Sequence, residues 1–117
     1  MKGCISTDLG IITVDPEVVA KYAGTVAVEC FGIVGMAAVN VKDGLVHLLR
    51  RESMAKGVKV RYHEDNSVSI ELHIIVDNGV NLTAVSRSIM SEVRYIVEKV
   101  TGVKVKNVDV CVDSMTL

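Results

Sequence analysis

Aromatic residues are scarce in this chain: no tryptophan, one phenylalanine and three tyrosines among 117 residues. A core built around stacked rings is therefore excluded, and 23 valines take its place. Branched aliphatics of this kind suit the pleated surface of a sheet. Charge of one sign is missing too. The formal net charge is −1, so no overall field draws the chain to nucleic acid or anionic lipid. Cys4, Cys30 and Cys111 are odd in number and widely spaced, with no CxxC pair. That pattern speaks against a disulfide framework and for reduced thiols. No apolar run approaches the roughly 18 residues needed to span a bilayer. Met1–Ser6 lacks the apolar segment of a secretory signal, so a cytoplasmic location is expected. There is also no linker, low-complexity stretch or charge block, and a single domain over residues 1–117 is expected.

What is present is a half-apolar composition with a mean hydropathy of +0.40. So much apolar surface in a small chain points to a subunit interface as well as a core, because monomers rarely expose large apolar patches. A homo-oligomer is the expectation.

The single proline marks the first helix. In Val14-Asp15-Pro16-Glu17, Asp15 can cap the first free amides, Pro16 presets φ and Glu17 complements the positive end of the dipole. Val18, Val19, Tyr22, Ala23, Val26, Ala27 and Cys30 then recur at three- and four-residue spacing as one apolar stripe. Gly10–Val14 before it reads as a short strand or extended entry. Gly32 and Gly35 punctuate the exit, and Met36–Val41 reads as a buried strand. Asp43 is then the expected cap of a short helix carrying Leu45, Leu48 and Leu49.

Two alternating stretches follow, Val58–Tyr62 and Val68–Val76, separated by the turn-forming Glu64-Asp65-Asn66. Pairing Tyr62 with Val68 keeps both apolar sets on one face and sets Lys59 opposite Glu71. A slip of one residue would put every valine in water. Asn81 is the expected cap of the longest helix, with Leu82, Val85, Ile89, Val93, Ile96, Val97 and Val100 as its stripe and Gly102 past its end. Val103 and Val105 are out of phase with Val108, Val110 and Val112, which predicts a bulge near Lys106-Asn107. The expected class is α/β (α+β) in the order β-α-β-(short α)-β-β-α-β. Two layers follow, helices packed on one face of a small mixed sheet.

Chemistry-bearing motifs are few. There is no GxxxxGK[ST], no GxGxxG and no GxSxG, and no cysteine lies in a glycine-rich turn or beside a histidine. Gly32-Ile33-Val34-Gly35 matches the GxxG with which KH domains clamp a nucleic-acid backbone, yet its middle residues are apolar where such loops need exposed polar ones. A tight helix-to-strand turn explains it better. His63, His73 and Cys111 can share the polar sheet face, but their spacing is not that of a recognisable metal motif, and His47 lies apart. No catalytic residue, metal or cofactor is expected. The candidate interaction surface is Arg50, Arg51, Lys56, Lys59, Arg61, Glu71 and His73.

Several stretches together resemble the alkaline shock protein family of mainly Gram-positive bacteria. They are Gly10-Ile11-Ile12-Thr13-Val14-Asp15-Pro16-Glu17-Val18-Val19, Phe31-Gly32-Ile33-Val34-Gly35 and Lys56-Gly57-Val58-Lys59-Val60. Val76-Asp77-Asn78-Gly79-Val80-Asn81-Leu82, Val97-Glu98-Lys99-Val100-Thr101-Gly102-Val103 and Val108-Asp109-Val110-Cys111-Val112 complete the set, in order from Gly10 to about Asp113. The ending Asp113-Ser114-Met115 departs from the family's glycine and valine, and Cys30 and Cys111 replace more ordinary small or polar residues. The resemblance implies a non-enzymatic, self-associating cytoplasmic protein linked to envelope or alkaline stress. It also implies protein partners, among them a membrane-associated protein or a kinase related to dihydroxyacetone kinases. The alternative from the residues themselves is a nucleic-acid-binding module using the GxxG turn and the basic residues.

Overall fold

The computed structural model describes residues 3–39, 46–49 and 51–116. Its elements in chain order are β1 (Gly3–Thr7), β2 (Gly10–Val14), α1 (Pro16–Val28), β3 (Ile33–Val39) and β4 (Val46–Leu48). A 3₁₀ turn (Arg51–Gly57), β5 (Val58–Tyr62), β6 (Val68–Val76), α2 (Leu82–Thr101) and β7 (Val105–Met115) follow.

Strict alternation makes β6 the centre of the main sheet. Val68, Ile70, Leu72, Ile74 and Val76 are all buried on one face. One edge of β6 is shared by two antiparallel strands, β5 along residues 68–72 and β3 along residues 74–76, and β4 extends the sheet beyond β3. Its other edge pairs in parallel with β7. Parallel neighbours need a long crossover, and α2 supplies it. The Asn81 side chain accepts from the Ala84 amide at 3.0 Å to start that helix, and Gly102 ends it at φ +74°, a conformation glycine reaches without strain.

The hairpin register is the one that alternation requires: Tyr62 faces Val68 and Lys59 faces Glu71. The bulge also falls where the phase break puts it. Val68 pairs Val105 while Ser69 pairs Asn107, so Lys106 is the extra residue, and Arg94 donates to its carbonyl at 2.7 Å. A second shift makes Asp113 extra between Val112 and Ser114. Both helices cover one face of the sheet, giving the expected two-layer α+β fold.

Two expectations are corrected. The buried face of α1 is Val19, Ala20, Ala23, Gly24 and Ala27, while Val18 and Tyr22 face outward. Small residues allow close approach to the sheet, and a stripe weighted by valine and tyrosine is rotated away from it. The short helix around Leu48 is a strand instead. Asp43 and Leu45 lie outside the described residues, but Val46–Leu48 pairs with β3 and the Leu49 amide donates to Met36 O at 2.9 Å. The hydrogen-bonding needs of the β3 edge override a helical pattern too short to nucleate. The expected short strand Gly10–Val14 is present as β2, and it pairs with β1 in a hairpin. This arm rests at its base on Tyr62, where a Cβ at Gly3 would collide with the ring, and Cys4 N donates to Asn66 Oδ1. Beyond that base it runs into solvent. The Cα radius of gyration is 14.8 Å, against about 13.4 Å for a compact chain of this length.

Candidate functional site on the outer sheet face

The face of the sheet away from the helices carries the polar residues of each alternating strand. Lys59 and Arg61 come from β5, Ser69, Glu71 and His73 from β6, and Asn107, Asp109, Cys111 and Asp113 from β7. Part of this face, from Lys59 and Arg61 across Ser69 and Glu71 to Asn107 and Asp109, lines a shallow hollow of about 350 Å³.

Two hydrogen-bond chains cross the face. In the first, Ser69 Oγ donates to Asn107 Oδ1 at 2.7 Å, and His63 Nε2 lies 2.6 Å from the same hydroxyl. The hydroxyl thus bridges an amide and an imidazole across the face. In the second, His73 Nδ1 lies 2.9 Å from Asp113 Oδ2 and Nε2 2.9 Å from Glu71 Oε2, and Lys59 Nζ approaches Glu71 at 3.8 Å. Burial opposes the charged form of His73, but its two carboxylate partners outweigh this and push its pKa above the usual value. The same contact with His73 holds Glu71 below the ordinary carboxylate range. Cys111 is the parallel register partner of His73. Burial, reinforced by Glu71 and Asp113, pushes its thiol up.

The structure brings together only part of the interaction surface read from the sequence. Lys59, Arg61, Glu71 and His73 share the outer face. Lys56 does not; it lines a separate hollow with Pro16, Glu17 and Ala20 beside α1. Arg50 and the side chain of Arg51 lie outside the described residues. His73 and Cys111 meet, whereas His63 belongs to the Ser69 chain. What sequence reasoning missed is the role of Glu71 and Asp113 as partners of His73. Glu71 and His73 are two apart on one strand and so share a face, a signal lost when only histidines and cysteines are compared.

Of Gly32-Ile33-Val34-Gly35, Gly32 closes the helix-to-strand turn and the other three open β3. Gly32 has φ +86° and its carbonyl accepts from the Asp77 amide at 2.9 Å, while Gly35 already sits in β3 with Leu48 packed over it.

Fold and face together define a small two-layer α+β domain. Among the described residues it has no helix long and apolar enough to cross a membrane. The sequence model of the alkaline shock protein family, described as having a cell envelope-related function, matches residues 4–117, and the chain belongs to that family. The resemblance noted in the sequence is thereby borne out. The chain is 38 % identical over 112 residues to the uncharacterized protein YloU of Bacillus subtilis, covering 95 % of this chain and 92 % of the relative. It is 35 % identical over 112 residues to the uncharacterized protein Spy1614 of Streptococcus pyogenes, with the same coverage of 95 % and 92 %. The uncharacterized protein YqhY of Bacillus subtilis is 28 % identical over 104 residues, 89 % of this chain and 76 % of the relative. No solved structure gives a significant match.

Proposed function

We propose that the chain is a non-enzymatic, self-associating protein that serves its envelope-related role by binding other proteins. The observation that carries this reading is the projecting β1–β2 arm. Leu9 at its tip is 95 % exposed, and Ile11 and Ile12 on β2 are 70 % and 51 % exposed. An isolated two-stranded hairpin is marginal in water, and apolar residues on one gain stability by docking on a second surface. The arm's own seat adds to this. The Tyr62 hydroxyl at its base is buried and has no hydrogen-bond partner among the described residues, and leaving such a group unsatisfied costs about 1–3 kcal/mol.

The edge of β7 away from β6, one of several sheet edges without a strand partner among the described residues, is guarded. It carries two bulges and the charged Lys106, Asp109 and Asp113, devices that blunt strand edges against pairing. Further copies of this chain are therefore the favoured first partner of the arm. A cytoplasmic position, peripheral to the membrane through a membrane-associated partner, accords with the family's envelope-related role. Nucleic-acid binding is not favoured. The GxxG is one turn glycine followed by the first residues of β3, and Lys59 and Arg61 share their face with Glu71, Asp109 and Asp113.

Light scattering after size exclusion tests the reading. The wild-type chain is expected to elute as an oligomer. A Leu9→Asp/Ile11→Asp variant is expected to shift to monomer while keeping a cooperative melt, at a temperature lowered only by the lost association. A strictly monomeric wild type at high concentration, or an oligomer indifferent to both charges, would overturn it.

A further inference from the structure

On the outer face, Glu71, His73 and Cys111 each offer one donor atom, and these atoms all lie within 4.8 Å of one another. We propose that this trio is a site for one divalent cation of the zinc class, with Asp113 orienting the imidazole from behind.

Backbone register makes the trio. Glu71 and His73 stand two apart on β6, and Cys111 is opposite His73 on β7. Neighbouring strands lie about 4.8 Å apart, so the three donors converge without any loop having to order. Tetrahedral zinc with ligand distances of about 2.0–2.3 Å places its donors roughly 3.3–3.8 Å from one another. The trio needs to close by roughly 1–1.5 Å at most to meet that geometry, within the reach of side-chain rotation.

The hydrogen bonds already resemble those of a loaded site. Asp113 engages His73 Nδ1 at 2.9 Å. A carboxylate on one ring nitrogen fixes the tautomer and raises the basicity of the other, which is the usual support of a metal-bound histidine. The remaining nitrogen, Nε2, points at Glu71 Oε2 at 2.9 Å. A proton shared by those two atoms in the charged imidazole occupies the place the cation would take. On binding, that proton and the Cys111 thiol proton leave to solvent, and the cation is then held by nitrogen, thiolate and carboxylate. Such a mixed set selects zinc or cobalt over magnesium and calcium, which require oxygen ligands alone. A fourth position stays open to water because the face is not covered by the helices. The site is independent of the self-association proposed above, since the arm contributes no ligand.

Cobalt(II) added to the full chain, with any affinity tag removed and after stripping with chelator, is the direct test. The expected result is one cobalt per chain with an intense thiolate-to-cobalt absorption that equimolar zinc removes. Cys111→Ser should lose that absorption, while a Cys4→Ser/Cys30→Ser variant keeps it. Asp113→Asn should weaken binding by about 10–100-fold without abolishing the thiolate band. Protection of Cys111 in the wild-type chain from a thiol reagent by zinc gives the same answer should Cys111→Ser not fold. No thiolate absorption in the wild type, or a band that survives in folded Cys111→Ser, would overturn the proposal.

Discussion

Gly24 sits in the middle of α1 on the side that faces the sheet, and replacing it with alanine should make the protein more stable. A helical glycine costs about 1 kcal/mol relative to alanine, mostly through the freedom it loses on folding. Whether that gain is realised depends on the space available. A Cβ at position 24 would lie 3.5 Å from Val58 Cγ2, 3.6 Å from Met54 Cβ and 3.7 Å from the Met54 carbonyl. All three are ordinary contact distances, so the methyl adds burial without repulsion. The expected gain is about 1–1.5 kcal/mol, or a rise in melting temperature of roughly 3–7 °C for a domain of this size. Thermal unfolding followed by circular dichroism reads it directly. Gly57 provides the contrast. A Cβ there would stand 2.8 Å from the Ala37 carbonyl oxygen and 3.1 Å from Met36 Cβ. Backbone cannot swing aside, and Gly57→Ala should lose about 1–3 kcal/mol. A Gly24→Ala protein that melts at or below the wild-type temperature would refute the packing described for α1.

Two further outcomes test the core and the hairpin. Val93 on α2 is fully buried, and an unpaired carboxylate there costs several kcal/mol against a total stability of about 5–15 kcal/mol. Val93→Asp should therefore abolish the cooperative melt, and a wild-type transition would mean that α2 presents another face. In the β5–β6 turn, the Ser67 hydroxyl donates to Asp65 at 2.6 Å and its amide at 3.0 Å, holding the carboxyl below the ordinary aspartate value. A depressed folded-state pKa gives stability that is full above the unfolded value near about 3.9 and is lost as pH falls through the folded one. The urea midpoint of wild type should thus exceed that of Asp65→Asn at about pH 6, and the gap should close towards about pH 2.5. A gap that is constant over this range would remove the role given to the charge.

Where a pattern is long and one-sided, it carries the fold by itself. The alternation along β6 and the break in phase before Val108 determine the hairpin register and the bulge at Lys106, because any slip exposes a full row of aliphatics. The caps Asp15, Asn81 and Gly102 are legible for a similar reason, each being a residue type suited to one backbone geometry. The orientation of α1 is not legible, since hydrophobicity scales rank valine above alanine whereas close packing ranks small above large. Leu48 misleads because what makes it a strand residue is the edge that β3 still has free once it has paired with β6, a neighbour distant in sequence and adjacent only in space. The His73 cluster is half visible. Alternation gives its face, but the meeting with Cys111 and Asp113 depends on a parallel pairing that only the α2 crossover creates.

The scarcity of aromatic rings leaves the molecule with an uncluttered optical signal. Of its three tyrosines, Tyr22 and Tyr95 are open to solvent, while Tyr62 lies under the base of the arm. Burial, and then the nearby Asp15 and Cys4, oppose the Tyr62 phenolate and delay its ionisation. Lifting the arm would hydrate that ring and let it ionise earlier. The protein thus carries its own gauge: an alkaline absorbance titration reports whether the arm is seated or engaged elsewhere, with no label attached.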